Sequence, residues 1–107
     1  MNILHTAQVE FCLDGSMTME YLLDTAVSRS FIEYLGSIGR TEYFPHFARP
    51  FFRINRSGSF LVKGVEGDTT IQVAYLRPPQ GLEEEILSRI RTFQPDNYRQ
   101  PGSATSA

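Results

Sequence analysis

Residues 51–76, FFRINRSGSFLVKGVEGDTTIQVAYL, consist of three short runs of strand-forming residues separated by two turns. The turns are Arg56-Ser57-Gly58 and Glu66-Gly67-Asp68, in which glycine adopts positive φ at little cost. Connections this short join antiparallel neighbours. The stretch therefore predicts a three-stranded antiparallel meander, with its strands at 51–55, 59–65 and 69–76.

A further strand is predicted near the N-terminus, at His5–Leu13. Apolar and polar side chains alternate there with the period of two that is typical of a half-buried strand. The apolar set, which we expect to face the core, is Ala7, Val9, Phe11 and Leu13.

The segment after Asp14-Gly15-Ser16 admits two interpretations. In one, Ser16 caps a helix whose apolar residues recur every three or four positions, and we favour it because the stripe continues without proline. In the other, Asp-Gly is the turn of a hairpin and Met17, Met19 and Tyr21 alternate on its second strand. A capping-box pattern at Ser30 leaves open a later helix start. The helical stripe consists of Leu23, Val27, Phe31, Tyr34 or Leu35, and Ile38.

Two more segments follow from local chemistry. Pro45 and Pro50 exclude a regular element across 44–50. Leu82–Phe93 is predicted to be a helix with one apolar stripe, with acids in its first turn and arginines in its last, as the helix dipole favours. The tail, residues 95–107, is polar and lacks core periodicity, so we expect it to be disordered.

These elements predict an α+β fold. About four mainly antiparallel strands, in the order β-α-β-β-β-α, carry two amphipathic helices packed on one face. Residues 1–94 form a single small domain on this interpretation.

The predicted order resembles two known layouts. Its helix–three strands–helix portion is similar to a double-stranded-RNA-binding domain, although Glu83-Glu84-Glu85 stands where such domains have a basic helix start. The whole order resembles a shortened helix-grip domain, in which a sheet curls around a C-terminal helix and encloses an apolar ligand. Neither resemblance rests on a motif, and no family is assigned.

Composition and charge narrow the function classes. The formal net charge is −2, whereas a generic nucleic-acid-binding protein is normally basic. We therefore expect no generic binding to nucleic acid. We expect no metal or cofactor, because His5, Cys12 and His46 lack metal-ligand spacing and cysteine is present once. With no signal-peptide pattern and no long apolar run, we expect a cytoplasmic protein without membrane insertion.

The most distinctive stretch is 43–63. Five of the thirteen aromatic residues lie between Tyr43 and Phe52, and four cations without an acid lie between Arg49 and Lys63. Aromatic residues and arginine are enriched at interaction hot spots. The plainer interpretation is that the aromatics pack in the core and the cations form a solvated face. As ligand- or partner-binding residues we select Arg49, Arg53, Lys63, His46, Phe47 and Phe51.

The sequence thus favours a non-enzymatic binding or adaptor domain that contacts a protein or anionic partner through residues 43–63. Strand alternation predicts a positive patch of Arg49, Arg53 and Lys63 on the sheet face away from the helices, with Arg56 as solubilising charge. The alternative is a small-molecule cavity between sheet and C-terminal helix, lined by Phe51, Phe52 or Tyr75. A small enzyme is the third possibility. It is disfavoured because no nucleophile–base or acid–base pair can be assembled from the sequence.

Overall fold

The computed structural model describes residues 1–13, 15–76 and 81–94. The predicted tail, 95–107, lies outside this range. The described residues form six strands and two helices, with a short 3-10 turn (Gly36–Ile38) after the first helix. In chain order the elements are β1 (Ile3–Phe11), β2 (Met17–Leu23), α1 (Arg29–Leu35), β3 (Arg40–Phe44), β4 (Phe51–Arg56), β5 (Phe60–Val65), β6 (Thr70–Tyr75) and α2 (Leu82–Thr92).

The strands form one antiparallel sheet in the order β1-β2-β6-β5-β4-β3. After the β1–β2 hairpin, α1 leads the chain to the opposite edge, where β3 begins. The next three connections are hairpins, so β3 to β6 meander back until β6 pairs with β2. The α+β class and the meander of 51–76 are confirmed.

The predicted strand count was wrong: the sheet has six strands, not four. Met17–Leu23 forms β2, not a helix, and pairs with β6 from Met17↔Tyr75 to Leu22↔Thr70. The hairpin interpretation of this segment is therefore the correct one. The helix begins only at Arg29, and its cap is Ser28, whose hydroxyl accepts a hydrogen bond from the Phe31 amide at 3.1 Å. The second missed strand, β3, ends at the residue before Pro45.

The prediction for the first strand needs a correction as well. β1 is an edge strand, and Val9, Phe11 and Leu13 are exposed rather than turned to the core. Its pairing with β2 shifts register between Ile3 and His5 and again between Gln8 and Glu10. These register shifts interrupt the period of two, so alternation in the sequence does not translate into one buried face.

The core lies between the helices and one face of the sheet, which we call the core face. Both helices bury their apolar stripes in the same cluster as the inward residues of β2, β4, β5 and β6. At the centre of this cluster are the fully buried side chains of Tyr21, Tyr75, Phe31, Phe52, Phe60, Phe93 and Ile90.

Gly64 of β5 lies between Phe52 of β4 and Ile71 of β6, its partners in the two neighbouring ladders. Its Cα faces the core, where an added Cβ would lie 3.0 Å from a ring carbon of Phe52 and 3.2 Å from a methyl of Ile71. The absent side chain therefore makes room for the Phe52 ring.

We predict that Ile90→Ala lowers the free energy of unfolding by about 2–5 kcal/mol, because Ile90 is fully buried where α2 meets the sheet. Arg91→Ala, at the neighbouring exposed position, is the control and should change it by less than about 0.5 kcal/mol. Urea denaturation of the three proteins measures both changes. Equal stability of Ile90→Ala and the parent chain would show that α2 is not held by its apolar stripe.

Candidate functional site

The sheet face opposite the helices, here called the open face, carries Arg53, Lys63 and Phe51 of the residues selected from the sequence. Phe52, Ile54 and Val62 are fully buried on the core face. Because successive strand residues point to opposite faces, Arg53 and Lys63 project from the open face. They lie directly opposite each other in the β4–β5 ladder.

A continuous row of polar side chains crosses the open face through five strands. The ladder pairs Glu42 with Arg53, Arg53 with Lys63, Lys63 with Gln72, and Gln72 with Glu20. From β2 to β3 the side chains of this row carry negative, neutral, positive, positive and negative charge. We call it the polar row, and its members are Glu20, Gln72, Lys63, Arg53 and Glu42.

Charges in the polar row are paired unevenly. An Nη atom of Arg53 lies 2.9 Å from a carboxylate oxygen of Glu42, and the Gln72 amide donates to Glu20 at 3.3 Å. Lys63 is exposed, and among the described residues it forms no ion pair. The central cation of the row is therefore available to solvent.

Aromatic rings lie beside the cations of the polar row. Phe44 and Phe51 stack with ring centroids 4.6 Å apart, and Phe47 meets Phe51 edge-on at 5.0 Å. The Arg53 guanidinium lies 5.7 Å from the centre of the Phe44 ring, within the range of a cation–π contact. The rings hold the guanidinium on the β3 side of the row, where Glu42 also lies.

A shallow depression of about 340 Å³ opens beside Phe51 and Lys63. Its rim includes Arg49, whose guanidinium is paired with Asp68 across the end of the sheet. The two side chains are 69% and 38% exposed, so solvent screens the attraction. Arg49 thus belongs to the same region as Lys63 but already has a carboxylate partner.

The structure brings together five of the six selected residues: Arg49, Arg53, Lys63, Phe51 and Phe47. Phe47 joins them through its ring contact with Phe51, and its side chain is 55% exposed. His46 is exposed in the loop between β3 and β4 and contributes no contact to this group.

Arg56 is not mere solubilising charge, so that prediction was wrong. Its Nε donates to the Ile38 carbonyl at 3.2 Å, and its guanidinium lies 5.0 Å from the Phe60 ring centre. A carboxylate oxygen of Glu85 lies 4.0 Å away. Arg56 therefore links the end of β4 to the 3-10 turn and to α2.

The sequence reasoning missed Glu42 and Gln72. Glu42 was missed because β3 was missed: Arg40–Phe44 has three polar residues followed by two aromatic ones, so no apolar–polar alternation marks it as a strand. The strand-forming residues Thr41, Tyr43 and Phe44 are the only local signal in this segment.

The space between sheet and α2, where a ligand cavity was expected, is filled by side chains. Phe52 and Tyr75, two of the expected lining residues, are fully buried there, and Phe51 lies on the other face.

A group of hydrogen-bonded side chains, Tyr21, Tyr75 and Glu83, links the sheet to α2. The Tyr21 hydroxyl donates to Glu83 at 3.0 Å and lies 2.9 Å from the Tyr75 hydroxyl. Since Tyr21 has one hydroxyl hydrogen, Tyr75 donates to Tyr21.

Burial governs the acidity of these tyrosines. It raises the pKa of Tyr75 to about 12 and also raises the pKa of Tyr21 above that of an ordinary tyrosine. At the edge of the sheet, the hydrogen bond to Glu66 is the main cause of a raised pKa at Tyr43.

Comparisons with protein-family models, with curated proteins and with solved structures give no match.

Neither helix in the described part of the chain has the length and apolar content needed to cross a membrane. Within residues 1–13, 15–76 and 81–94, no three His, Cys, Asp or Glu side chains are grouped to hold a metal ion.

We predict that Tyr21 and Tyr75 do not ionise while the chain remains folded near pH 10, where an ordinary tyrosine titrates. A folded-state pKa above the unfolded value contributes stability that is present at lower pH and is lost as pH rises through the folded pKa. The free energy of unfolding should therefore fall above about pH 10.

Ultraviolet absorbance titration of the parent chain and of Tyr21→Phe and Tyr75→Phe measures this behaviour. Each variant should lack one late-titrating tyrosine. Titration of every tyrosine near pH 10, with the fold intact, would contradict the buried arrangement.

Proposed function

We propose that this protein is a non-enzymatic binding domain whose open face receives an anionic group of a partner protein. The observation that carries the proposal is the direct opposition of Arg53 and Lys63, with Lys63 lacking an ion pair among the described residues. Like charges directly opposite in a ladder destabilise a sheet. An anion bound between them would remove this repulsion.

Geometry supports joint recognition by the two cations. Side chains directly opposite in an antiparallel ladder have Cβ atoms about 4.5–5.5 Å apart, so one carboxylate or phosphate can contact both. Glu42 contacts one Nη atom of Arg53, and the Arg53 Nε is buried without a hydrogen-bond partner in the described part of the chain. The remaining Nη N–H groups are therefore the donors that an incoming anion would contact. Hydrogen bonds between such cations and an anion are charge-assisted and stronger than neutral ones.

The neighbouring rings support a protein partner. Phe44, Phe47 and Phe51 form an aromatic cluster beside the cations, and the exposed Phe47 extends it into solvent. Aromatic residues, including phenylalanine, and arginine are enriched at protein–protein interfaces relative to the rest of the surface. We place this interaction in the cytoplasm, as expected for a chain with a single free cysteine.

The proposal is tested by NMR titration of the parent chain with inorganic phosphate and with hexaglutamate. We expect amide shifts concentrated on β4 and β5 around Arg53 and Lys63, weakening as salt is added. Lys63→Glu should abolish these shifts. Arg91→Glu, which makes the same charge change on the exposed side of α2, is the matched control and should retain them.

Two outcomes would overturn the proposal. One is that Lys63→Glu and Arg91→Glu bind both anions equally. The other is that the shifts are spread over the whole surface, because the anions would then respond to overall charge and not to the opposed pair.

A further inference from the structure

We infer that the anionic partner is an amphipathic α-helix which lies across the strands, with two acidic residues one turn apart over Lys63 and Arg53. This inference rests on the proposed function, since it names the occupant of the same open face. Three features of the open face support it: the order of charges along the polar row, the spacing between its residues, and the apolar residues beside it.

Spacing favours a helix over an extended segment. The two cations lie on adjacent strands, which are about 4.7–4.9 Å apart. Acidic residues three positions apart on a helix rise by about 4.5 Å and lie on the same side. Same-side residues of an extended strand are about 6.6 Å apart, so a strand crossing the row matches the spacing of the two cations less closely than a helix does.

The ends of the polar row extend the match. Glu42 lies one strand beyond Arg53, and Glu20 lies two strands beyond Lys63. The row is about 19 Å long, which equals about 13 helical residues. A complementary helix therefore carries a basic residue about one turn beyond one acid and another about two turns beyond the other. Acids in the middle and bases at both ends reproduce the row with opposite signs.

A row of four apolar residues and Thr70 runs parallel to the polar row and would receive the helix's apolar stripe. Within this row, the ladder pairs Phe44 of β3 with Phe51 of β4, and Phe51 with Val65 of β5. Further along the same face it pairs Thr70 of β6 with Leu22 of β2. All five side chains are half-buried and face away from the core. A helix about 10–12 Å wide covers both rows at once.

Two synthetic peptides of identical composition test the inference against the full chain. In the helical peptide, two glutamates stand three positions apart beside a leucine stripe, with lysines near both ends. In the extended peptide, the same residues are reordered so that leucines alternate and the glutamates stand two positions apart. Affinity is measured by calorimetry, the site by amide shifts, and peptide conformation by circular dichroism.

The inference predicts that the helical peptide binds at least about tenfold more tightly, becomes helical on binding and shifts open-face amides. Lys63→Glu should remove this preference, and Arg91→Glu should keep it. Equal affinity of the two peptides at the open face, or binding without helix formation, overturns the inference while the proposed function stands.

Failure of the proposed function has a different signature: phosphate, hexaglutamate and both peptides leave the open face unshifted. Two further results also overturn the inference. One is a peptide that binds elsewhere, such as the β1 edge. The other is open-face shifts that depend on protein concentration alone, which would identify a second copy of this chain as the occupant.

Discussion

Both helices pack on one side of an antiparallel sheet, and this one-sided packing determines what each strand residue contacts. Alternation sends Phe52, Ile54 and Val62 under the helices and leaves Arg53 and Lys63 on the other side. A one-residue shift of β4 would bury its charge and expose its apolar residues. The register that builds the core therefore also assembles the open face.

The open face is not needed to close the core, and as the solvated side of an antiparallel sheet it accommodates charged side chains. Arg53 leans toward Glu42 and the Phe44 ring, which relieves part of the repulsion from Lys63. Lys63 has no such partner among the described residues. On the proposed function, an anion would make this unfavourable pair favourable, which is one way in which stability and function compete.

Elements set by local chemistry were predictable from the sequence. The turns at 56–58 and 66–68 fix the meander, and the first-turn acids and apolar stripe identify α2. β2 was not predictable, because the sequence Met17–Leu23 fits both an alternating strand pattern and a helical pattern. Only its pairing with β6 shows that it is a strand. β3 has only five residues, and Pro45 directly after it obscured the strand.

The same contrast applies to the site. Alternation within β4 and β5 was enough to place Arg53 and Lys63 on one face, because turn residues fix their register. It did not reveal Glu42, since that contact needs the missed strand β3. The exposure of β1 was also beyond reach, because only the strand order shows that it lies at an edge.

The central claim is that the opposition of Arg53 and Lys63 costs the fold stability and is kept for an anionic partner. The most direct test is the free energy of unfolding of Lys63→Glu, measured by urea denaturation at low salt without any ligand. The account predicts an increase of about 0.2–1 kcal/mol, because an attractive cross-strand pair replaces a repulsive one. Lys63→Gln should lie between the two proteins. A stability of Lys63→Glu equal to or below that of the parent chain would contradict the account.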